Sequence, residues 1–171
     1  RERLSDLRAQ MAANRLGVER MQGLCAKYGT ATVLAAGDAL QDYAERKMRA
    51  GIAAIPDGTY SFADRFDAPE IDGELAMGCT ITVAGDAMRL HFDSPPQARA
   101  GINCTYTALL SAVYYAVKTV IDPTILPNAG LTRPLTVTAP AGTVLNCTHP
   151  AAVNGRLSAC QRVVDLIHGA L

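Results

Sequence analysis

The sequence carries no net charge: 16 Lys and Arg balance 16 Asp and Glu. Duplex binding leans on clustered basic side chains that neutralise phosphates, so this balance argues against a nucleic-acid partner. Long apolar runs are missing as well. The uncharged stretch from Pro134 to Gly155 is broken by Pro and Gly, and Ala100 to Val117 contains Asn, Thr and Ser. Neither reads as a membrane helix, so a soluble protein is expected. No Cys-x-x-Cys pair occurs among Cys25, Cys79, Cys104, Cys147 and Cys160, which removes the usual wrap for a zinc ion. Free thiols then point to a reducing, cytoplasmic compartment. Two glycosylation sequons, at Asn103 and Asn146, have no signal peptide to make them meaningful and read as chance.

Catalytic signatures are scarce too. There is no Gly-x-Ser-x-Gly elbow, and the turns at Pro56–Thr59 and Pro140–Thr143 have single glycines with no following Lys, so neither cradles a phosphate. His91, His149 and His168 have no His or carboxylate four residues on, and Asp93, two after His91, merely shares its strand face. No metal site and no catalytic residue is assigned. Cys104 opens a helix, where the dipole lowers a thiol pKa, but a small buried residue at a helix start is the plainer reading. Asp38, Asp42 and Glu45 fall on the polar face of a helix, with Asp42–Arg46 and Glu45–Arg49 spaced as ion pairs.

What is present is ordinary globular composition, 49% hydrophobic and 19% charged, in a length that suits one domain. Apolar positions Leu4, Leu7, Met11, Met21, Leu24 and Tyr28 mark an amphipathic helix that Gly29 ends. Gly17 and Gly23 weaken it by roughly 1 kcal/mol each, so tertiary contacts are expected to hold it. A second helix, Thr32 to Ala50, has Val33, Leu34, Leu40, Tyr43 and Met48 as its inner stripe, and the pair predicts a helical hairpin over 1–54. A turn at Ile55–Thr59 precedes strands expected at Thr59–Phe66, Glu74–Val83 and Met88–Phe92, the last two joined by a hairpin turn at Ala84–Asp86.

Tyr106 to Ile121 is apolar nearly all round and reads as a central helix buried on every side. Alternation over Arg133–Ala139 and again over Thr143–Asn146 predicts two further short strands. Arg156 to Leu171 is a closing helix with Leu157, Cys160, Val164, Ile167 and Leu171 on one face. The fold class is α+β: an N-terminal helical hairpin, a mostly antiparallel sheet, a buried central helix and a C-terminal helix. Residues 94–155 hold only 4 of the 32 charges. The loops Pro127–Gly130 and Thr148–Gly155 are therefore expected to be exposed here and covered by a partner or by more of the parent chain. Within that stretch and at its edge, Asn103, Asn128, Arg133, Asn154 and Arg156 are candidates for substrate or subunit contacts, with structural pairing as the alternative.

The order of short motifs resembles the hydantoinase B/oxoprolinase family. Asp6-Leu7-Arg8-Ala9-Gln10 with Ala12-Ala13-Asn14 and Gly17 carries the resemblance, as do Asp42-Tyr43-Ala44-Glu45-Arg46 with Arg49 and then Pro56-Asp57-Gly58-Thr59-Tyr60. Asn103, Asp122-Pro123, Pro127-Asn128-Ala129-Gly130, Arg133-Pro134-Leu135, Pro140 to Asn146, Pro150 to Val153 and Gln161 to Asp165 continue it in order. The sequence departs from the family where His91-Phe92-Asp93-Ser94-Pro95 replaces an Asp-Phe-(Ser/Thr)-Gly-Thr run.

The resemblance implies an ATP-dependent cyclic amidohydrolase, in which an A-type partner binds ATP and phosphorylates the lactam oxygen, and a B-type part opens the lactam or hydantoin ring. ATP and a divalent metal are implied for the complete enzyme and neither for this stretch, since the family's metal-binding motif lies N-terminal to the region matched. Acetone- and acetophenone-type carboxylase subunits share the family, and a non-catalytic assembly module is a third reading. Residues 1–171 are expected to be an internal segment, with 1–54 the helical part and 55–171 the α+β part.

Overall fold

The computed structural model describes residues 2–67, 71 and 73–171. These fall into two compact units that divide between Asp42 and Tyr43.

The first unit contains helix α1, Glu2–Tyr28, and the opening turns of helix α2, Thr30–Ile52. Gly29 joins them at φ 84°, a left-handed conformation that favours glycine, and its N–H donates to the Cys25 carbonyl at 2.9 Å. The helices do not pack along one another as a hairpin would. No residue from 3 to 42 is buried, and the expected inner stripe is open: Leu7 is 55% exposed, Met21 53% and Leu34 66%. The heptad-like spacing is real, but nothing within this unit covers it.

The second unit, Tyr43–Leu171, holds the core. The last turns of α2 belong to it because Ala44, Met48 and Ile52 are buried there. Gly51 is pressed against helix α3, Tyr106–Ile121: a β-carbon on it would lie 2.1 Å from Ile121 Cγ2.

A four-stranded sheet runs in sequence order, β1 (Gly58–Asp67), β2 (Glu74–Ala84), β3 (Ala87–Asp93) and β4 (Leu135–Thr138). The first three strands pair antiparallel, with Ile81 opposite Leu90 and Cys79 opposite Phe92 on the buried face. β4 joins β3 in parallel, Leu90 beside Val137. A parallel neighbour needs a crossover, and α3 with the short 3-10 helix Ala129–Thr132 supplies it. Helix α4, Arg156–Ala170, packs on α3, β1 and β2. Each fully buried Leu, Ile, Met or Phe of this layer contributes about 1.5–3 kcal/mol.

Three expectations are corrected in detail. α3 buries Leu109, Ala112, Val113, Ala116 and Val117, but Tyr115 is 62% exposed and Val120 41%, so it is buried on one side only. α4 turns Ala159, Val163, Leu166 and Ile167 inward; of the expected stripe only Ile167 is buried, while Cys160 and Val164 are half-buried and Leu157 is 71% exposed. Thr143–Asn146 is a tight turn instead of a strand: Gly142 sits at φ 78°, and its N–H donates to the Asn146 carbonyl at 2.9 Å. Both charge-poor loops lie mostly at the surface, with Gly130 the buried exception.

Candidate functional site

Asn103 is fully buried in the segment leading to α3, and its amide is completely used. Oδ1 accepts from the Ala98 N–H at 2.7 Å, and Nδ2 donates to the carbonyls of Ala98, Ala100 and Ala152, each at 2.9 Å. Next to it Gly155 N–H donates to the Gly101 carbonyl at 2.8 Å, and Cys104 N–H to the Val144 carbonyl at 2.7 Å. The side chain thus ties the entry of α3 to the entry of α4. A buried loop must find partners for its backbone polar groups, and here one side chain provides several of them.

Arg133 and Asn128 stand at the two ends of the 3-10 helix. Asn128 Oδ1 accepts from Gly130 N–H at 2.9 Å, and Arg133 donates to Glu45 Oε2 at 2.9 Å. Glu45 also accepts from Arg49 at 2.8 Å, and Arg49 reaches Asp86 at 3.1 Å. The Arg133 hydrogen bond, followed by that of Arg49, holds the Glu45 carboxyl below the usual carboxylate range. Asp57, in the turn before β1, accepts from Gly85 N–H at 2.8 Å, and Tyr60 Oη donates to the Pro56 carbonyl at 2.7 Å. Glu45 is therefore the hub of a charge network between α2, the β2–β3 turn and the start of β4, rather than a solvated surface carboxylate. Sequence reasoning passed over that role because a carboxylate at i, i+4 from an Arg has a sufficient local explanation.

Arg156 is placed differently. It is exposed at the first turn of α4, donates to the Val153 carbonyl at 3.2 Å, and lines a groove of about 630 Å³ between α3 and α4. Thr105, Ser111 and Tyr115 of one wall face Leu157, Cys160 and Val164 of the other. The walls are largely apolar, with one guanidinium near the α4 N-terminus suited to a carboxylate, phosphate or amide carbonyl. Leu157, Cys160 and Val164 have helical spacing and read as core from sequence; in the fold they form a groove wall. Asn154 is exposed just before α4. The structure brings Asn103 and Arg156 to the same loop junction, puts Arg133 in the Glu45 network, and leaves Asn128 capping the 3-10 helix.

Among the described residues, no three His, Cys, Asp or Glu converge to hold a metal ion. His91 contacts Thr138 Oγ1 at 2.8 Å and Asp93 at 3.4 Å, and His168 contacts Thr119 at 3.0 Å, so each pairs within the fold. Cys104 is buried, and its thiol is raised by its hydrogen bond to Cys160 and by burial, contrary to a dipole-activated nucleophile. Among the described residues, no helix is long and apolar enough to cross a membrane.

A protein named as the B component of a D-/L-hydantoinase, from Pseudomonas sp. strain NS671, is 32% identical to this chain over 98% of its length. The crystal structure of ATP-dependent caprolactamase from Pseudomonas jessenii matches 96% of the chain with a TM-score of 0.86 at 31% identity. A nucleotide-free acetone carboxylase structure shares the fold over 80% of the chain, with a TM-score of 0.71 at 19% identity. The chain spans 31% of the hydantoinase component and 29% of the caprolactamase chain. The hydantoinase B/oxoprolinase family model matches residues 1–171, and the chain belongs to that family.

Proposed function

We propose that this chain is part of the B-type component of an ATP-dependent enzyme that opens a cyclic amide, a lactam or a hydantoin. The observation that carries this reading is the match to ATP-dependent caprolactamase, continuous over 96% of the chain at 31% identity. The likeness to acetone carboxylase, at 19% identity, supports a shared fold alone. An unstrained amide is a poor electrophile, so a ring-opening enzyme gains from converting the carbonyl oxygen into a leaving group before water attacks. ATP and the divalent metal belong, on this reading, to the A-type partner and to parts of the B-type component outside this chain. The described residues here do not fit a metal centre.

The chain's own contribution is scaffolding. What supports this is how its family-resembling residues are used: Asn103, Asp57, Glu45, Arg49 and Arg133 are engaged in hydrogen bonds and ion pairs that join elements of the fold. Arg156 is the polar group best placed to touch a ligand or partner, since it is exposed on the groove.

The test is reconstitution of the complete B-type component with its A-type partner. Ring opening of a lactam or hydantoin that requires ATP supports the reading. Incorporation of bicarbonate into a ketone, with no ring opening, overturns it in favour of the carboxylase branch. The 171-residue chain alone is expected to show no turnover above background.

A further inference from the structure

Two thiols from distant parts of the sequence meet at the base of the α3–α4 groove. Cys104 Sγ lies 3.6 Å from Cys160 Sγ, though 56 residues separate them. Neither is in a disulfide. Their surroundings are unequal. Cys104 is fully buried, one residue before the Thr105 cap of α3, and its backbone is held by Val144 and Cys147. Cys160 is half-buried on α4 and lines the groove, one helical turn beyond Arg156, which lines it too. Small solutes therefore reach one sulfur and not the other.

We infer that Cys160 and Cys104 form a peroxide-responsive dithiol pair, with Cys160 the attacking thiol at the groove and Cys104 the buried resolving thiol. The inference stands apart from the proposed ring-opening activity, because it rests only on the placement of the two sulfurs and the groove.

The chemistry closes without any group outside the pair and the oxidant. The Cys160 thiolate attacks one oxygen of hydrogen peroxide, the O–O bond breaks, and the departing hydroxide takes a proton to leave as water. Cys160 is then a sulfenic acid. Cys104 loses its proton, its sulfur attacks Cys160 sulfur, the S–O bond breaks, and a second water leaves. Two thiols are oxidised to one disulfide while the peroxide is reduced to two waters. The sulfurs must close from 3.6 Å to a bond of about 2 Å, a movement within reach of side-chain rotation. The asymmetry favours this order. The hydrogen bond shared with Cys104, and secondarily the positive charge of Arg156, lower the Cys160 thiol, whereas Cys104 is raised. Oxidation would tie the start of α3 to α4 and remove the groove's thiol from solvent.

The experiment uses the full chain carrying Cys25→Ser, which takes the α1 thiol out of the count. Stoichiometric hydrogen peroxide is expected to lower the free-thiol titre from four to two, with a peptide linking Cys104 to Cys160 and full recovery on treatment with dithiothreitol. Cys104→Ser in the same background should leave Cys160 as the residue trapped by dimedone. Cys160→Ser should leave Cys104 unmodified. An unchanged titre, a disulfide through Cys147 instead, or dimedone capture at Cys104 in the Cys160→Ser variant each overturns the assignment.

Discussion

Asn103 is the residue on which the geometry bears hardest. Four hydrogen bonds converge on one side chain that solvent does not touch. Asn103→Ala would strand the Ala98 N–H and take a donor away from three carbonyls, and each buried unsatisfied group costs about 1–3 kcal/mol. Relaxation and entering water recover part of that. The expected loss is about 3 kcal/mol, read as a lower denaturant midpoint with an unchanged slope. Asn103→Asp should be at least as damaging, since a carboxylate faces the same carbonyls without a donor. A variant that melts like the parent would show that the loop junction is held by other contacts. At this scale the sequence was partly legible. A polar residue in a charge-poor run was visibly unusual at Asn103, Asn128 and Arg133, because such a residue must be paired. Its partners were not visible, because the Ala152 carbonyl and Glu45 lie 49 and 88 residues away in sequence and only the tertiary fold brings them near.

Among the elements, the end of α2 and the end of α3 are fastened by one ion pair. Lys47 Nζ lies 2.6 Å from Asp122 Oδ2, and the same carboxylate caps the turn after α3 by accepting from Thr124 N–H at 2.8 Å. The Lys47 hydrogen bond, then those of Thr124, hold the Asp122 carboxyl well below the usual range, and Lys47 is correspondingly raised. A depressed carboxylate pKa gives stability that is present above the unfolded value, about 3.9, and is lost as pH falls through the folded value. The raised Lys47 acts in the opposite sense: its share is present below the unfolded value, about 10.4, and disappears as pH rises above it. Asp122→Asn should therefore melt below the parent at pH 7, with the two converging as the medium is acidified below about pH 4. Parallel melting curves across that range would count against the pair. The element pattern itself was largely readable, since strand alternation over Glu74–Val83 and Met88–Phe92 matches the observed burial residue for residue. Helix faces were harder. α4 is flanked by core on one side and by a groove on the next, so apolar residues occupy two adjacent stripes, and spacing alone merges Ile167 of the core with Leu157, Cys160 and Val164 of the groove.

For the molecule as a whole, the first unit poses the energetic question. Residues 3–42 include ten exposed large apolar side chains, from Leu4 to Leu40, and no buried residue. Helices in water without a packed face are marginal, because nucleation is costly and propagation gains little. Gly17, Gly23 and Gly37 weaken this one further by roughly 1 kcal/mol each relative to Ala. In dilute solution the backbone amides of 3–42 should then exchange rapidly, and trypsin should cut first at Arg8, Arg15, Arg20 or Lys27 while the unit Tyr43–Leu171 stays intact. At high concentration the same apolar surface should drive association and slow both processes. The glycines separate this account from local strain. None of the three has a heavy atom within 4 Å of where a β-carbon would stand, so alanine fits at each without a clash. Gly17→Ala, Gly23→Ala and Gly37→Ala together should raise helical circular dichroism and slow exchange across 3–42, yet leave the melting of the Tyr43–Leu171 core unchanged. If helicity in 3–42 were already complete and protected in the dilute parent chain, the triple variant would gain nothing, and the helices would have to draw their stability from contacts other than those described.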